Sequence, residues 1–331
     1  MSIRALSGAG RHKATGLSSP PLSIEREPPA ARPGQAVQFS PLRAGTDMGC
    51  IFSIDVEDWF HILDLPSTPD ISRWDSLASR VETNFLRLLD LCDEQQVQAT
   101  CFFLGWVAER FPHLVREAGR RGHEIASHGY AHRLVYEMTA ADFLEDAVRS
   151  RQILEDLTGG AVAGYRSSGF SVTAATPWFF EALAQAGYRY DSSLFPAKRG
   201  HGGMESGNCA PHQLGPCAEG LIEFPMTVTR LLGRRWCFFG GGYLRLTPAP
   251  MIRRMARRVL REGRPVIFYV HPREIDPDHP RLPMSLGRRF KSYVNLKGTE
   301  AKLRTILGEF RFRTFAGFLA ERGLGPRNEE V

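Results

Sequence analysis

The sequence predicts an α/β fold whose mainly parallel sheet closes, or nearly closes, into a β/α barrel. Short apolar runs recur along the chain from residue 49, and segments with helical periodicity separate most of them. Six or seven such units in one domain are typical of a β/α barrel. An open doubly wound sheet is the alternative. No Gly-x-Gly-x-x-Gly follows an early strand and no Walker loop is present, so a nucleotide site lacks support.

Each apolar run has the length and composition of a strand that is buried on both faces. The predicted strands are 50–54, 99–104, 123–127, 161–165, 188–191, 221–225 and 265–270. Between most of them, apolar residues recur every three or four positions, as they do in an amphipathic helix. The predicted helices are 80–95, 107–121, 140–157, 175–186, 248–262 and a last one over roughly 298–321.

The two ends of the chain differ in composition from its middle. Residues 1–47 are rich in Pro, Gly, Ser, Ala and Arg and have hardly any apolar clusters, so we expect a disordered N-terminal extension. Residues 48–322 are the expected globular domain, and residues 323–331 are a tail. Met48 directly precedes the first strand, and we expect translation to start there; the intact mass of the native protein tests this.

Composition excludes several classes of protein. The chain has 331 residues, 43% of them hydrophobic and 24% charged, which suits a globular protein with a proper core. Residues 1–47 hold six Lys/Arg and three acids, so they account for +3 of the net charge of +6. The remainder is only mildly basic, and a nucleic-acid partner is not expected. The sequence does not indicate an oligomeric state.

The expected location is the cytoplasm, with the periplasm as the alternative. No stretch of 18 apolar residues is present, so stable membrane insertion is not expected. The N-terminus has no apolar core of a secretory signal. The six cysteines include no Cys-x-x-Cys pair and are interpreted as reduced thiols.

Charged or titratable residues follow five of the predicted strands. They are Asp55, Glu57 and Asp58 after the first strand, His128 and His132 after the third, Arg166 after the fourth, Asp191 at the end of the fifth and His271 after the last. In a β/α barrel the carboxyl ends of the strands share one face, and that face carries the active site. Any one of these residues alone fits a helix cap or a structural role. Their coincidence at one face predicts a functional site.

The histidine-rich stretch "HEIASHGYAH" (123–132) raises the question of a metal site. A zinc-protease helix needs His-Glu-x-x-His, but His128 lies one residue too far from the His123-Glu124 pair. His128 and His132, joined by a carboxylate from elsewhere, form a ligand set for Zn²⁺ or a similar ion. A second carboxylate can accept a proton from water, and a histidine can protonate a leaving amine. An arginine can orient the base through a bidentate pair. The set predicts metal-assisted amide hydrolysis.

Five motifs stand in one order along the chain. They are "SIDVEDWFH" (53–61), "SHGYAH" (127–132), "GYRSSGFS" (164–171), "YDSSLFP" (190–196) and "FYVHPREID" (268–276). Together they resemble the NodB-type polysaccharide deacetylases, carbohydrate esterase family 4, over roughly residues 49–321. The segment "SYVNLKGTEAKLRTIL" (292–307) is similar to the C-terminal segment of one branch, which is encoded at exopolysaccharide loci of bacteria with the PEP-CTERM/exosortase system.

The resemblance implies a distorted (β/α)₇ barrel with a C-terminal family-specific segment at about 275–322. It implies a divalent metal, most commonly zinc, and removal of acetyl groups from N-acetylhexosamine units of an exopolysaccharide or its precursor. An N-acetylated polysaccharide is therefore the expected partner. The implied roles are Asp55 as catalytic base, Arg166 as the residue that steadies it, His271 as general acid, Asp191 as the residue that orients the acid, and Asp58, His128 and His132 as metal ligands.

Two departures from the family pattern bear on these roles. The two acids that usually stand side by side are split here as Asp-Val-Glu-Asp. If the strand continues through residue 57, strand alternation puts Asp55 and Glu57 on the same side, and Glu57 is the metal ligand. If the chain turns after residue 55, Asp58 is the metal ligand, and this alternative is favoured. Ser168 stands where the family has a proline, and we expect a looser loop beside the base and a lower catalytic rate.

Three aromatic residues close to the motif residues are candidates for substrate binding. Trp59, Tyr130 and Phe170 each follow a predicted site residue, and aromatic faces stack on the C–H surfaces of sugars. Packing in the core or in loops is the alternative for each of them.

Two rival functions follow from the same residues. The first is hydrolysis of a small non-sugar amide on the same fold, which activity on small amides but not on N-acetylglucosamine oligomers would favour. The second is a non-catalytic glycan-binding or assembly protein, which the missing proline favours and the complete set of charged groups opposes.

Overall fold

The computed structural model describes residues 40–41, 48–63, 65–199, 202–205, 207–215 and 218–325. The strands are β1 (Ser40–Pro41), β2 (Cys50–Val56), β3 (Thr100–Phe103), β4 (Glu124–Ser127), β5 (Gly164–Tyr165), β6 (Tyr190–Asp191), β7 (His212–Gln213), β8 (Ile222–Glu223), β9 (Thr229–Leu231), β10 (Arg234–Trp236), β11 (Val266–Val270) and β12 (Phe312–Arg313). The α-helices are α1 (Ile71–Trp74), α2 (Val81–Glu94), α3 (Gly105–Arg110), α4 (Pro112–Arg120), α5 (Ala140–Thr158), α6 (Phe179–Gln185), α7 (Gly241–Leu246), α8 (Ala249–Arg261), α9 (Leu286–Tyr293), α10 (Thr299–Leu307) and α11 (Phe315–Ala320). Short 3₁₀ helices span Trp59–His61, Val135–Glu137, Ser168–Phe170, Pro272–Ile275 and Leu296–Gly298.

One curled sheet carries the fold. Its strand order is β1-β7-β8-β6-β5-β4-β3-β2-β11, and β12 also pairs with β2. From β8 through β11 every pairing is parallel, so these seven strands direct their carboxyl ends to the same edge. They are the seven strands predicted from the sequence, and the prediction of an α/β fold of the distorted barrel type is confirmed.

The sheet separates two apolar layers. In β2 all seven residues are buried, and successive side chains point to opposite faces. Phe52 and Ile54 belong to the larger core cluster, which also contains the inward faces of the helices. Ile51 belongs to the cluster inside the curl, together with Phe102 of the neighbouring strand. Burial on both faces explains why these strands are continuous apolar runs.

The C-terminal segment differs from the single helix predicted over 298–321. The first part is α10, but β12 follows it and pairs with β2, and only then does α11 begin. Thr314 caps α11 by accepting a hydrogen bond from the N–H of Gly317. The ring of Phe315 then stacks on Tyr190, 5.2 Å away, inside the curl of the sheet. The prediction was wrong because periodicity alone does not reveal a two-residue strand between two apolar helices.

Two other predicted elements are altered locally. The helix predicted over 107–121 is divided into α3 and α4, because Pro112 takes the first position of α4 and Phe111 leaves helical geometry with φ −129°. Ser40–Pro41, predicted to be disordered, forms β1 and pairs with β7. Backbone pairing of this kind needs no apolar side chain. The rest of the predicted disordered extension and residues 326–331 of the tail lie outside the described residues.

The described part of the chain contains no helix that is long and apolar enough to cross a membrane. The five described cysteines are free thiols, as predicted: Cys50, Cys92, Cys101, Cys209 and Cys237. Cys217 lies outside the described residues.

Candidate active site

A cavity of about 470 Å³ opens where the parallel strands end. Its lining includes predicted site residues from three different strand ends and several residues from the C-terminal half of the chain. The charged and histidine side chains in the lining are Asp55, Glu57, His61, His128, His132, Arg199, Arg245, His271, Arg273, Glu274, Arg288 and Lys291. The structure therefore brings residues that are up to 239 positions apart in sequence (Asp55 to Val294) to one site.

Asp55 is held by a buried arginine, as predicted. Nη1 of Arg166 donates to Oδ1 of Asp55 at 2.6 Å and to Oγ of Ser53 at 2.8 Å. The Arg166 guanidinium lies 4.1 Å from the ring centroid of Phe102 and is fully buried. One N–H, rather than a bidentate pair, holds the carboxylate, because the rest of the guanidinium is engaged by the carbonyl and hydroxyl of Ser192. Asp55 thus keeps its other oxygen for the cavity.

His271 is oriented by Glu274, and this corrects the prediction for Asp191. Nδ1 of His271 lies 2.9 Å from Oε1 of Glu274, which in turn lies 2.9 Å from Nη1 of the buried Arg245. The carboxylate of Asp191 instead accepts from the N–H and the hydroxyl of Ser193, at 3.2 and 2.5 Å. The prediction missed Glu274 although the sequence signals it: a Pro-started turn brings residues three apart together.

The surrounding charges keep His271 protonated. Burial alone would lower its pKa, but the charge of Glu57 and the contact with Glu274 outweigh burial and raise the pKa to about 9. Burial would raise the pKa of Glu274, but the charges of Arg245 and His271 bring it down to about 2. At neutral pH this arrangement presents an imidazolium to the cavity, which is the form that a general acid needs.

A second buried acid, Glu223, lies beside Asp191, and the sequence analysis did not single it out. Glu223 is fully buried beside it, and Oε1 of Glu223 accepts from the N–H of Leu194 at 3.0 Å. Burial raises the pKa of Asp191 to about 6, and burial together with the charge of Asp191 raises the pKa of Glu223 well above its usual range. The pair therefore retains a proton in the folded state.

This pair gives a prediction about stability. Both pKa values are higher in the folded state than in the unfolded state, so the contribution of the pair is complete at acid pH and is lost as the pH rises through the folded values. Glu223→Gln keeps the shape and cannot ionise. Its free energy of unfolding should fall less between pH 5 and pH 8 than that of wild type, by at least about 1 kcal/mol. Urea unfolding at pH 5 and at pH 8 measures this change in the free energy of unfolding. An equal decrease in wild type and in the variant would contradict the prediction.

Glu57, rather than Asp58, faces the histidines. Oε2 of Glu57 lies 2.9 Å from Nε2 of His132, and Oε1 lies 2.8 Å from Nε2 of His271. Burial would raise the pKa of Glu57, but the charges of these two histidines hold it well below the usual range. Oε2 is buried and has no hydrogen-bond donor of suitable geometry among the described residues. Such an oxygen is available to a cation.

Asp58, the favoured ligand in the sequence analysis, is surrounded by donors of its own, and its role as a ligand stays a prediction. Its carboxylate accepts from the N–H groups of Trp59, Arg80 and Val81 and from the hydroxyl of Ser79. It thereby caps the 3₁₀ helix Trp59–His61 and ties it to the start of α2. Asp58 is not among the residues that line the cavity.

The donor set around Glu57 fits a zinc-type ion. The rings of His128 and His132 have centroids 5.3 Å apart. Nδ1 of His128 lies 2.7 Å from the carbonyl oxygen of Arg166, so it carries the proton and leaves Nε2 for the cavity. In the described residues, however, no three His, Cys, Asp or Glu side chains are already gathered as a metal-binding group. The residue types fit the ion, and its identity and the ligand set remain proposals.

His61 is a further site residue that the sequence analysis did not single out. The N–H of Asp58 donates to its Nδ1 at 3.0 Å, so the proton of the neutral ring lies on Nε2. Burial and the charge of His132 keep the pKa of His61 well below its usual range. Nε2 is buried and has no acceptor among the described residues. His61 therefore offers a donor, not a metal-ligating lone pair.

The loop that lacks the family proline is tied down by hydrogen bonds. The N–H of Ser167 donates to Oγ of Ser193 at 2.7 Å, and Oγ of Ser171 donates to the carbonyl of Ser168 at 2.7 Å. Ser168 itself is buried and starts the 3₁₀ helix that carries Phe170. The geometry does not support the expected loosening. The effect on rate remains a prediction.

The three candidate aromatic residues are placed differently. Phe170 lines the cavity and packs against Tyr269, with centroids 5.0 Å apart. Trp59 lies in the main core, where its indole N–H donates to the carbonyl of Ala78. Tyr130 donates its hydroxyl to Glu109 outside the cavity. Core and loop packing therefore account for Trp59 and Tyr130, and substrate binding remains a prediction for Phe170 alone.

Comparisons of the sequence with known families agree with this geometry. Residues 73–190 match the family model for polysaccharide deacetylase, and residues 192–320 match a domain of unknown function, DUF3473. The chain is 33% identical over 113 residues to a peptidoglycan deacetylase of Helicobacter pylori, and 32% identical over 75 residues to a peptidoglycan-N-acetylglucosamine deacetylase of Bacillus cereus. These matches cover 34% and 23% of this chain, and 38% and 27% of the relatives' lengths.

Solved structures show the same fold. A Mycobacterium smegmatis protein provisionally assigned as a polysaccharide deacetylase superposes with a TM-score of 0.56 at 20% identity, covering 87% of this chain and 94% of that one. The Puue allantoinase superposes with a TM-score of 0.54 at 17% identity, covering 82% and 89%. The chain therefore shares the fold of these solved structures, and its residues 73–190 are similar to the polysaccharide deacetylase family.

Proposed function

We propose that this chain is a metal-dependent hydrolase that removes N-acetyl groups from N-acetylhexosamine units of a bacterial exopolysaccharide or its precursor. The observation that carries the proposal is the pairing of a held base and a held acid at one cavity. Oδ2 of Asp55 lies 3.8 Å from Nε2 of His271, and each side chain is fixed from behind by a buried partner, Arg166 or Glu274. The two named relatives are deacetylases, which supports the reaction type.

The residues that would hold the ion are Glu57, His128 and His132. When bound, a zinc-type ion supplies Lewis-acid chemistry: it lowers the pKa of water toward ~7 and stabilises negative charge on an acyl oxygen. Nδ1 of His128 is already committed to a carbonyl, which fixes the ring, and Glu57 contributes a desolvated negative charge.

The protein side chains move the protons. Asp55 accepts a proton from water as the water oxygen attacks the acetamide carbon. Arg166 holds Asp55 in place and compensates its negative charge until the proton is transferred. His271 donates the proton on Nε2 to the amide nitrogen as the C–N bond breaks, so acetate and a free amine leave. Glu274 and Arg245 behind His271 keep the ring in position while its charge changes.

The substrate is proposed to be an exopolysaccharide because the segment 292–307 resembles the branch encoded at exopolysaccharide loci with the PEP-CTERM/exosortase system. The named relatives act on peptidoglycan, which is also built on N-acetylated sugars. Hydrolysis of a small amide is the second candidate, since the Puue allantoinase shares the fold.

Acetate release tests the proposal. Purified protein loaded with Zn²⁺ is incubated with chitotetraose, with an N-acetylated exopolysaccharide and with small amides including allantoin. We expect acetate from the glycans, loss of activity on chelation and recovery on adding Zn²⁺ back. Turnover of small amides alone would establish the second candidate. Glycan binding without acetate release, with metal bound, would establish a non-catalytic role.

A further inference from the structure

The cavity carries positive charge that the residues of its own lining do not neutralise. Two of its three acids already have an arginine within 3 Å: Asp55 has Arg166, and Glu274 has Arg245. Among the described residues, the lining arginines Arg199 and Arg273 have no carboxylate partner.

Both arginines present buried nitrogens without acceptors. Nε and Nη1 of Arg273 and Nη1 of Arg199 are buried and have no hydrogen-bond partner among the described residues. Nε2 of His61, a donor, is in the same situation. A buried donor is normally satisfied, and a buried charge is normally paired. Because Arg199 and Arg273 also line the cavity, we expect a ligand there to supply acceptors for their guanidinium groups.

The two arginines are held in place by their surroundings. The guanidinium carbon of Arg199 lies 4.5 Å from the ring centroid of Phe195 and 5.3 Å from that of Phe170. Arg273 lies in the 3₁₀ helix Pro272–Ile275, two residues from His271. A guanidinium matches carboxylate and phosphate oxygens in shape and charge, more closely than it matches a neutral sugar hydroxyl.

We propose that Arg199 and Arg273 form an oxyanion subsite, so the substrate is an acidic glycan. The N-acetylhexosamine that enters the cavity carries a carboxylate on a neighbouring sugar, or a phosphate, and this group accepts the unpaired N–H donors. The inference rests on the proposed function, because that proposal places the N-acetyl group in the same cavity. The excess of positive charge in the lining does not depend on the proposed function.

Binding to matched probes tests the subsite without turnover. A hyaluronan tetrasaccharide and chitotetraose both contain N-acetylglucosamine, but only hyaluronan carries carboxylates; N-acetylglucosamine 1-phosphate and N-acetylglucosamine differ only in the phosphate. Affinities are measured by calorimetry on the metal-free protein, in which Asp55 stays paired with Arg166 and turnover is not expected. We expect at least one acidic probe to bind at least about tenfold more tightly than its neutral partner. The pair that differs identifies the source of the oxyanion.

Variants separate a subsite from a structural role. Arg273→Gln and Arg199→Gln should each remove most of the preference for the acidic probe and leave the affinity for the neutral probe unchanged, while Arg273→Lys keeps part of the preference. Arg289→Gln is the control, because Arg289 is exposed on α9 and outside the cavity lining. Equal binding of acidic and neutral probes, or equal losses for both in the arginine variants, overturns the subsite. Absence of acetate release from every glycan defeats the proposed function instead, and the binding preference is still measured.

Discussion

Replacing Asp55 with asparagine should lower the rate of acetate release by about 10²–10⁴-fold, the usual contribution of a general base. Asparagine retains an oxygen for Nη1 of Arg166 but cannot accept the proton of the attacking water. Because Arg166 is fully buried, the variant also leaves a desolvated charge without its partner, which costs about 3–5 kcal/mol of stability when a buried pair is broken. Initial rates and urea unfolding of the same preparation separate the two effects.

The matched control is Ser53→Ala. Its hydroxyl accepts from the same guanidinium nitrogen at 2.8 Å, but it has no role in the proton transfer. This variant should keep its rate within several-fold of wild type. Full activity of folded Asp55→Asn would exclude Asp55 as the base.

Zinc content should fall by at least tenfold in Glu57→Gln and stay near wild type in Asp58→Asn. Glu57 brings a buried, donor-free oxygen to within 2.9 Å of His132, and glutamine removes the negative charge that a cation needs. Asp58 is engaged by backbone N–H groups and by Ser79, so Asp58→Asn should instead lose about 1–2 kcal/mol of stability as a damaged cap. Mass spectrometry of metal content at equal free zinc and urea unfolding measure the two quantities.

His128→Ala provides the positive control for metal loss, because its Nε2 is the proposed ligand. The opposite pattern, with zinc retained by Glu57→Gln and lost by Asp58→Asn, would return the ligand role to Asp58. Loss in both variants would indicate that the cap also positions the ligands.

The sequence was most informative where chemistry depends on strand ends. Buried parallel strands are recognisable as apolar runs, and their carboxyl ends meet at one edge, so the sequence predicts that Asp55, His128, His132 and His271 converge. The sequence predicts Arg166 at the same edge, because Arg166 follows β5 directly.

The sequence was least informative where a side chain has several possible partners in the folded structure. Asp58 and Glu57 are one residue apart, and only the turn that places Asp58 over the start of α2 decides which of them faces the histidines. Likewise, the partner of His271 depends on a 3₁₀ turn and on Arg245, whose position is set by the packing of α7. These choices depend on hydrogen-bond networks between distant segments, which no local pattern encodes.

The central position of β2 also sets an order of events on the ribosome. Its neighbour β3 is made soon after it, but its other neighbour, β11, begins only at Val266. At a rate of synthesis of about 5–20 residues per second, one edge of β2 stays unpaired for roughly 10–40 s before β11 is made. An unpaired strand edge is a template for aggregation, so we expect the nascent chain to be prone to aggregation during this interval. The proposed base Asp55 and its partner Arg166 are made before the proposed acid His271, so we expect no hydrolysis until His271 has been made.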